Sequence, residues 1–150
     1  MRRSAAVVIL VLLALSGRVG AAGSCTVTQR LTGNIRTVTV TCTADAAAAT
    51  FPNTVLPTIE GRLLALVTDP GTTAPQDNYD VAVTDQYGAD VLQGVGANRD
   101  TANTEKVAVV YSGTALHPPV DDGDVLTLAI SGNNVNSATV VIYLYYALGG

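Results

Sequence analysis

Short runs of alternating apolar and polar residues fill most of the chain after residue 23. No segment there keeps the apolar period of an amphipathic helix. The runs are rich in Val, Ile, Thr and Tyr, and they are separated by Gly, Pro, Asn and Asp, which is typical of strands and turns. We therefore predict an all-β fold, an antiparallel β-sandwich of jelly-roll type in a single domain. Beyond a first hairpin, strands are predicted at 54–59, 62–68, 79–84, 90–92, 106–111, 125–130 and 138–146.

The first hairpin lies in the segment CTVTQRLTGNIRTVTVTC, residues 25–42. Gly33-Asn34 at its centre suits a type II′ turn, whose first residue has a positive φ. Pairing outward from this turn places Cys25 opposite Cys42 in a non-hydrogen-bonded pair, with Cα atoms about 4.5 Å apart. That distance is at the short end of the disulfide range, so a Cys25–Cys42 disulfide is predicted. Lipidation of Cys25 is the alternative, although Ala22 stands where a lipidation signal usually has Leu.

The same register divides the side chains of the hairpin between two faces. The apolar face should pack on the core and carries Cys25, Val27, Leu31, Val38, Val40 and Cys42. The second face should meet solvent or a partner and carries Thr26, Thr28, Thr37, Thr39, Thr41 and Thr43.

The beginning of the chain has the pattern of a targeting segment. Arg2 and Arg3 precede an unbroken apolar run over 5–15, and small and polar residues follow it. The run is shorter than the roughly 20 apolar residues that span a bilayer, and it fits a signal peptide cleaved after Ala21 or Ala22. We therefore divide the chain into a signal-peptide-like segment, residues 1–22, and a β-sandwich domain, residues 23–150. Alternatives are a misassigned start codon or an uncleaved anchor, through which alone the protein would contact a membrane.

Composition narrows the classes of partner. Hydrophobic residues make up 48% of the chain and charged residues only 13%, with a formal net charge of −4. High hydrophobicity with low charge argues against intrinsic disorder. A negative chain with few Lys and Arg residues is not expected to bind nucleic acid, because phosphate contacts need clustered basic side chains. Export would supply the oxidising compartment for the disulfide, so the location that this pattern favours is secreted or extracellular.

Catalytic patterns are missing from the sequence. The one histidine, His117, precedes Pro118-Pro119 in a predicted loop, and no nucleophile motif accompanies it. Aspartates crowd several turns, most densely at Asp121, Asp122 and Asp124. Oxygen-rich loops can bind calcium, but the spacing matches no EF-hand and Asp is an ordinary turn former, so solvated turns are favoured over a calcium site. We predict a non-enzymatic protein with no catalytic residues, no cofactor and no metal.

The last predicted strand, ATVVIYLYY, is apolar on both faces. Such a strand is central in its sheet or is covered on its second side by another subunit. Tyr143 and Tyr145 share one of its faces, and Tyr87 lies in a predicted turn. These three tyrosines are the candidate interaction residues. For the pair on the strand, a place in the core or at a subunit contact is favoured over an aromatic ligand platform.

Several segments between residues 61 and 146 carry a resemblance to a known group of proteins. They are GRLLALVTDPG, PQDNYDVAVTDQYGADVLQG, GANRDTANTEKV, DVLTLAISGNN and TVVIYLYY. The most distinctive pieces are DNYDV, the D-x-x-G-x-D-V-L run at 85–92, and GANRDTAN at 96–103. In their order these segments resemble small β-rich virion structural proteins of tailed bacteriophages, which are found with head and tail components. The resemblance implies no catalytic residues. It implies a structural or attachment role in a virion, with copies packed against other subunits.

Three functions follow from these observations. The first is a structural or assembly protein of the phage virion type, which would form a homo-oligomer or contact virion components. The second is an exported binding or adhesion module of the bacterial cell envelope, which the signal-like segment and the opposed cysteines favour. The third is a small secreted hydrolase, for which only the Asp-rich loops speak. Because function must be argued from a site and the sequence displays none, the first is preferred over the second, and the third is the weakest.

Overall fold

A computed structural model describes residues 20–120 and 123–148 of the chain. The predicted signal-peptide-like segment lies outside these residues except at its end, and Asp121 and Asp122 lie outside them as well. Within the described residues the chain forms nine strands. They are β1 (Ser24–Thr32), β2 (Ile35–Thr43), β3 (Thr54–Val55), β4 (Gly61–Pro70), β5 (Asp80–Thr84), β6 (Glu105–Ala108), β7 (Pro119–Val120), β8 (Thr127–Ser131) and β9 (Thr139–Ala147).

The strands form two packed antiparallel sheets. Sheet A has six strands in the order β1-β2-β9-β4-β6, and β7 also pairs with β4. Sheet B has three strands in the order β3-β8-β5. No helix occurs in the described part of the chain, and the predicted all-β sandwich is confirmed. The jelly-roll topology stays a prediction.

The first hairpin has the predicted register throughout. Cys25 pairs with Cys42, Val27 with Val40, and Thr32 with Ile35. Gly33 adopts the positive φ, 60°, that the type II′ turn requires. The predicted disulfide joins Cys25 to Cys42, whose Cα atoms are 4.1 Å apart. The protein therefore carries a covalent link between its first two strands, and this link is compatible with an oxidising environment.

One residue of the hairpin departs from the prediction. Leu31 was expected to pack on the core, but it is 53% exposed. Gln29, two positions away on the same face, is exposed as well. The end of the hairpin nearest the turn is thus not covered by sheet B, and alternation alone cannot reveal how far an opposing sheet extends.

β9 lies at the centre of sheet A, between β2 and β4. One side of β9 is fully buried against sheet B and consists of Val140, Ile142, Leu144 and Tyr146. The other side, which includes Tyr143 and Tyr145, is half-buried. The central position of the strand is therefore confirmed, and it explains why both faces of its sequence are apolar.

Two predicted strands are shorter or absent because local groups end them. The segment 90–92 contributes only an isolated bridge between Asp90 and Thr84. The Asp90 side chain accepts backbone N–H groups there and holds a turn instead. The predicted strand 54–59 is reduced to Thr54–Val55, because Pro57 has no N–H group to donate to a ladder.

Within the described residues, none of the secondary structure is a helix that is long and apolar enough to cross a membrane.

Candidate functional site

The face of sheet A that points away from sheet B is the broadest candidate surface, and we call it the outer face. Strand register and side-chain alternation assign its residues from five strands. From β1 and β2 they are Thr26, Thr28, Arg30, Thr37, Thr39 and Thr41, from β9 they are Val141, Tyr143 and Tyr145, and from β4 and β6 they are Arg62, Ala65, Val67, Asp69 and Lys106. Threonine hydroxyls thus line one half of the outer face, and apolar and aromatic side chains line the other.

Tyr143 and Tyr145 lie at the centre of the outer face. Tyr143 is flanked by Thr39 on β2 and by Val67 on β4, because these residues are its register partners. The Lys106 ammonium group sits 5.2 Å from the centroid of the Tyr145 ring, within the range of a cation–π contact. Both rings remain half-buried. The centre of the outer face is therefore a preordered aromatic surface that a partner could cover.

The outer face differs in charge from the rest of the protein. It carries Arg30, Arg62 and Lys106, and among the described residues Asp69 is its one acid. The whole chain, by contrast, has 12 acidic and 8 basic residues. The outer face is therefore locally positive on an acidic molecule, and an acidic partner surface would be attracted to it.

Tyr87 lies far from this surface in the fold. It follows β5 of sheet B, at the tip of a turn, and 85% of its side chain is exposed. The Asp85 carboxylate orders this turn by accepting the backbone N–H groups of Tyr87 and Ala89, each at 2.8 Å. Because Tyr143 and Tyr145 point away from sheet B, the structure brings two of the three candidate tyrosines together and leaves Tyr87 apart.

The aspartates of the loops serve the backbone. Asp80 accepts the Asn98 N–H at 2.8 Å, and the Asp45 and Asp100 carboxylates accept N–H groups within their own turns. The bonds from the Ala48 and Ala47 amides lower the pKa of Asp45. The Asn103 side-chain amide, together with backbone amides, lowers the pKa of Asp100. These carboxylates are thus held ionised as turn acceptors, and the described part of the chain brings no pair of them into a cleft that would suit hydrolysis.

Asp90 makes the largest set of such bonds and carries a stability prediction. Its carboxylate accepts the backbone N–H groups of Val83 at 3.2 Å, Leu92 at 3.0 Å and Gly94 at 2.9 Å. Asp90→Ala leaves these donors without their partner and should lower the free energy of unfolding by about 3 kcal/mol. Urea unfolding at neutral pH measures this loss. Asp77→Ala is the control, because the Asp77 carboxylate bonds only to the Asn78 amide at 3.3 Å, and it should change stability little. Equal stability of the two variants would contradict the role given to Asp90.

The residues considered for calcium are not assembled into a site. Asp124 accepts a hydrogen bond from the Gln86 amide at 3.0 Å, and Asp121 and Asp122 lie outside the described residues. Within the ranges 20–120 and 123–148, no group of three or more His, Cys, Asp or Glu side chains could hold a metal ion.

His117 is tied to the backbone. Its Nδ1 lies 2.6 Å from the Val109 carbonyl oxygen. The carbonyl of His117 accepts a hydrogen bond from the Arg62 guanidinium at 3.1 Å. These bonds fasten the loop before β7 to the start of β4, which is a structural role for the histidine.

The two most distinctive segments of the sequence pair with each other. Tyr79, in DNYDV, forms an isolated bridge with Arg99, in GANRDTAN, and accepts its N–H at 2.7 Å. Arg99 in turn forms an ion pair with Glu105 at 3.5 Å. Sequence reasoning did not connect these segments, and the only signal was the placement of DNYD and NRD in predicted turns. They brace β5 against the loop that follows it.

Tyr79 and Thr68 bring two hydroxyl groups into the core beside this bridge. Both side chains are fully buried, and neither hydroxyl has a hydrogen-bond partner. Burial raises the pKa of the Tyr79 phenol, and the nearby Thr68 hydroxyl offsets part of that rise. The pair is a polar spot in the core for which sheet packing alone gives no use.

Replacing both hydroxyls with apolar groups of similar shape tests whether they stabilise the fold. Because buried hydroxyls without partners carry a desolvation cost, Tyr79→Phe/Thr68→Val should raise the free energy of unfolding by about 1 kcal/mol or leave it unchanged. Thermal unfolding of the double variant measures this, with Thr41→Val on the outer face as the control for the isosteric change. A loss above about 1 kcal/mol would mean that the two hydroxyls satisfy each other.

Comparison with known proteins finds no family model, no curated protein and no solved structure that matches this chain. The functional argument therefore starts from the surfaces described above.

Proposed function

We propose that the protein is a non-enzymatic structural or assembly protein that packs against other protein subunits through the outer face of sheet A. The observation that carries the proposal is the combination of half-buried Tyr143 and Tyr145 with a positive rim on an otherwise acidic molecule. Aromatic side chains are enriched at the centres of protein interfaces, and charged groups at their rims set orientation. The virion structural proteins that the sequence resembles have this kind of role.

The partner of the outer face is a protein surface with acidic groups. Arg30, Arg62 and Lys106 surround the tyrosines and can each pair with a carboxylate. Nucleic acid is disfavoured as the partner, because a chain of net charge −4 would repel phosphate everywhere except on this face. Further copies of this chain and other components of the same particle both meet this description, since the chain itself is acidic.

An exported binding module of the cell envelope is the second candidate, and the disulfide favours it. Cys25–Cys42 would persist in an oxidising compartment, and the signal-peptide-like segment would lead the chain there. In that case the outer face would bind a surface outside the cell instead of a neighbour in a particle.

Fractionation of the native source tests the proposal and separates the two candidates. The wild-type chain and Tyr87→Ser should co-purify with assembled particles, because Tyr87 lies off the outer face. Tyr143→Ser/Tyr145→Ser should be lost from the particles while keeping its thermal midpoint within a few degrees. Intact mass with and without reductant then reports on export. A chain shortened by about 22 residues, bridged and found in the envelope would favour the second candidate. Retention of the Tyr143→Ser/Tyr145→Ser variant in particles would refute the use of the outer face.

A further inference from the structure

Strand β1 is the long free edge of sheet A. On the opposite edge, β6 and β7 have four and two residues, whereas β1 has nine. Among the described residues no other strand pairs with β1 except β2. Long unprotected edges invite pairing with another strand, so proteins normally shorten, cover or use them.

The direction of each backbone group on this edge follows from the disulfide-linked pair. Cys25 and Cys42 have Cα atoms 4.1 Å apart, as in a non-hydrogen-bonded pair. The N–H and C=O groups of Cys25 therefore point away from β2, and by alternation so do those of Val27, Gln29 and Leu31. Thr26, Thr28 and Arg30 spend their backbone groups on β2. The free edge thus presents four evenly spaced residues, each with one donor and one acceptor.

We propose that β1 pairs in antiparallel fashion with β1 of a second copy of this chain, with Thr28 opposite Thr28 of the partner subunit. In this register Cys25 faces Leu31 of the partner subunit, and Val27 faces Gln29 of the partner subunit. All four outward-pointing residues of each copy then lie in hydrogen-bonded pairs, and every free donor and acceptor of the edge finds a partner. The contact is self-complementary, as a two-fold axis requires.

Side chains support a second copy as the occupant of the edge. Leu31, which is 53% exposed although it lies on the apolar face of the hairpin, would be covered by the Cys25 end of the other strand. Arg30 is the only charged residue of β1, and the antiparallel register places it opposite Thr26 of the partner subunit. The two Arg30 side chains are then about 13 Å apart. A parallel pairing would set them side by side, which like charges disfavour.

The contact would join the two copies of sheet A into one sheet and double the outer face. The inference stands on the backbone of β1 and does not depend on Tyr143 or Tyr145, so it is independent of the function proposed above.

Cysteine crosslinking in the purified full chain, with the native disulfide intact, tests the register. Thr28→Cys places two cysteines in a non-hydrogen-bonded pair across the axis, the geometry that already links Cys25 to Cys42. Thr26→Cys is the matched control, because in this register the two cysteines lie four positions apart. Mild oxidation should give about tenfold more covalent dimer from Thr28→Cys than from Thr26→Cys. Equal yields from the two variants would overturn the register.

Gln29→Pro tests the use of the edge itself. Its N–H points away from β2, so proline there blocks the pairing of two copies without removing a bond of the hairpin. Sedimentation should detect a dimer for the wild type and for Tyr143→Ser/Tyr145→Ser, and a monomer for Gln29→Pro with an unchanged β-sheet circular dichroism spectrum. A wild-type monomer at high concentration, or a dimer that persists in Gln29→Pro, would overturn the proposal. Loss of the dimer only in the tyrosine variant would overturn it too and would instead support the outer face.

Discussion

Gly96→Ala is expected to destabilise the protein by about 3 kcal/mol and to lower its melting midpoint by about 10 °C. A Cβ atom at Gly96 would overlap the Val81 carbonyl oxygen and lie 2.9 Å from the Val81 carbonyl carbon. The Gly96 carbonyl accepts the Val81 N–H at 2.8 Å, so the two backbones cannot separate without breaking that bond. Because backbone atoms cannot yield as a flexible side chain would, the loop must move away from β5. Thermal unfolding followed by circular dichroism measures the loss.

Gly94→Ala is the control for this prediction. Gly94 has φ of 77° but no atom within 4 Å of its would-be Cβ. The substitution should therefore cost only the strain of the left-handed conformation, about 1 kcal/mol. If Gly96→Ala proves no worse than Gly94→Ala, the close approach of the loop to β5 is not what requires glycine at position 96.

Removing the disulfide is the second change with a large expected effect. Cys25 and Cys42 are 17 residues apart, and a link across a loop of this length restricts the unfolded chain by about 3 kcal/mol in the chain-entropy model. Cys25→Ala/Cys42→Ala should therefore lower the melting midpoint by about 10 °C. Alanine avoids placing a hydroxyl at position 42, which is fully buried.

Reductant provides the matched comparison for the disulfide. The wild type in a strong reductant should fall to nearly the midpoint of Cys25→Ala/Cys42→Ala, whereas the variant itself should not respond to reductant. A midpoint that is the same for both proteins in oxidising buffer would mean that the bridge contributes nothing to stability.

The hairpin of β1 and β2 could be predicted from the sequence because all its determinants are local. Gly33-Asn34 sets the turn, the turn sets the register, and the register places Cys25 opposite Cys42. The central position of β9 was open to prediction for a similar reason, since its apolar residues occupy both faces of one short segment. For the candidate surface, the same alternation grouped Tyr143 with Tyr145.

The rest depends on contacts between distant parts of the chain. The reason for glycine at position 96 lies in Val81, and the use of Tyr79 lies in its bridge to Arg99. Neither partner can be read from the spacing of the glycine or the tyrosine. Leu31 was misplaced because alternation identifies a face but not the extent of the sheet that covers it. The positive charge of the outer face emerges only when Arg30, Arg62 and Lys106, on three different strands, are brought together.

The place of β9 also bears on the order in which the molecule can be made. It is preceded by the other eight strands, yet it fills the gap between β2 and β4. During synthesis the growing chain must therefore hold one edge of β2 and one of β4 open for roughly a hundred residues, and such pairings over long separations close slowly. A chain of this design stays incompletely folded until its last strand is made, which is the condition under which a polypeptide can still be threaded through a translocation channel. It also exposes the unfinished sheet to wrong partners, so we expect refolding yield to fall steeply as protein concentration rises.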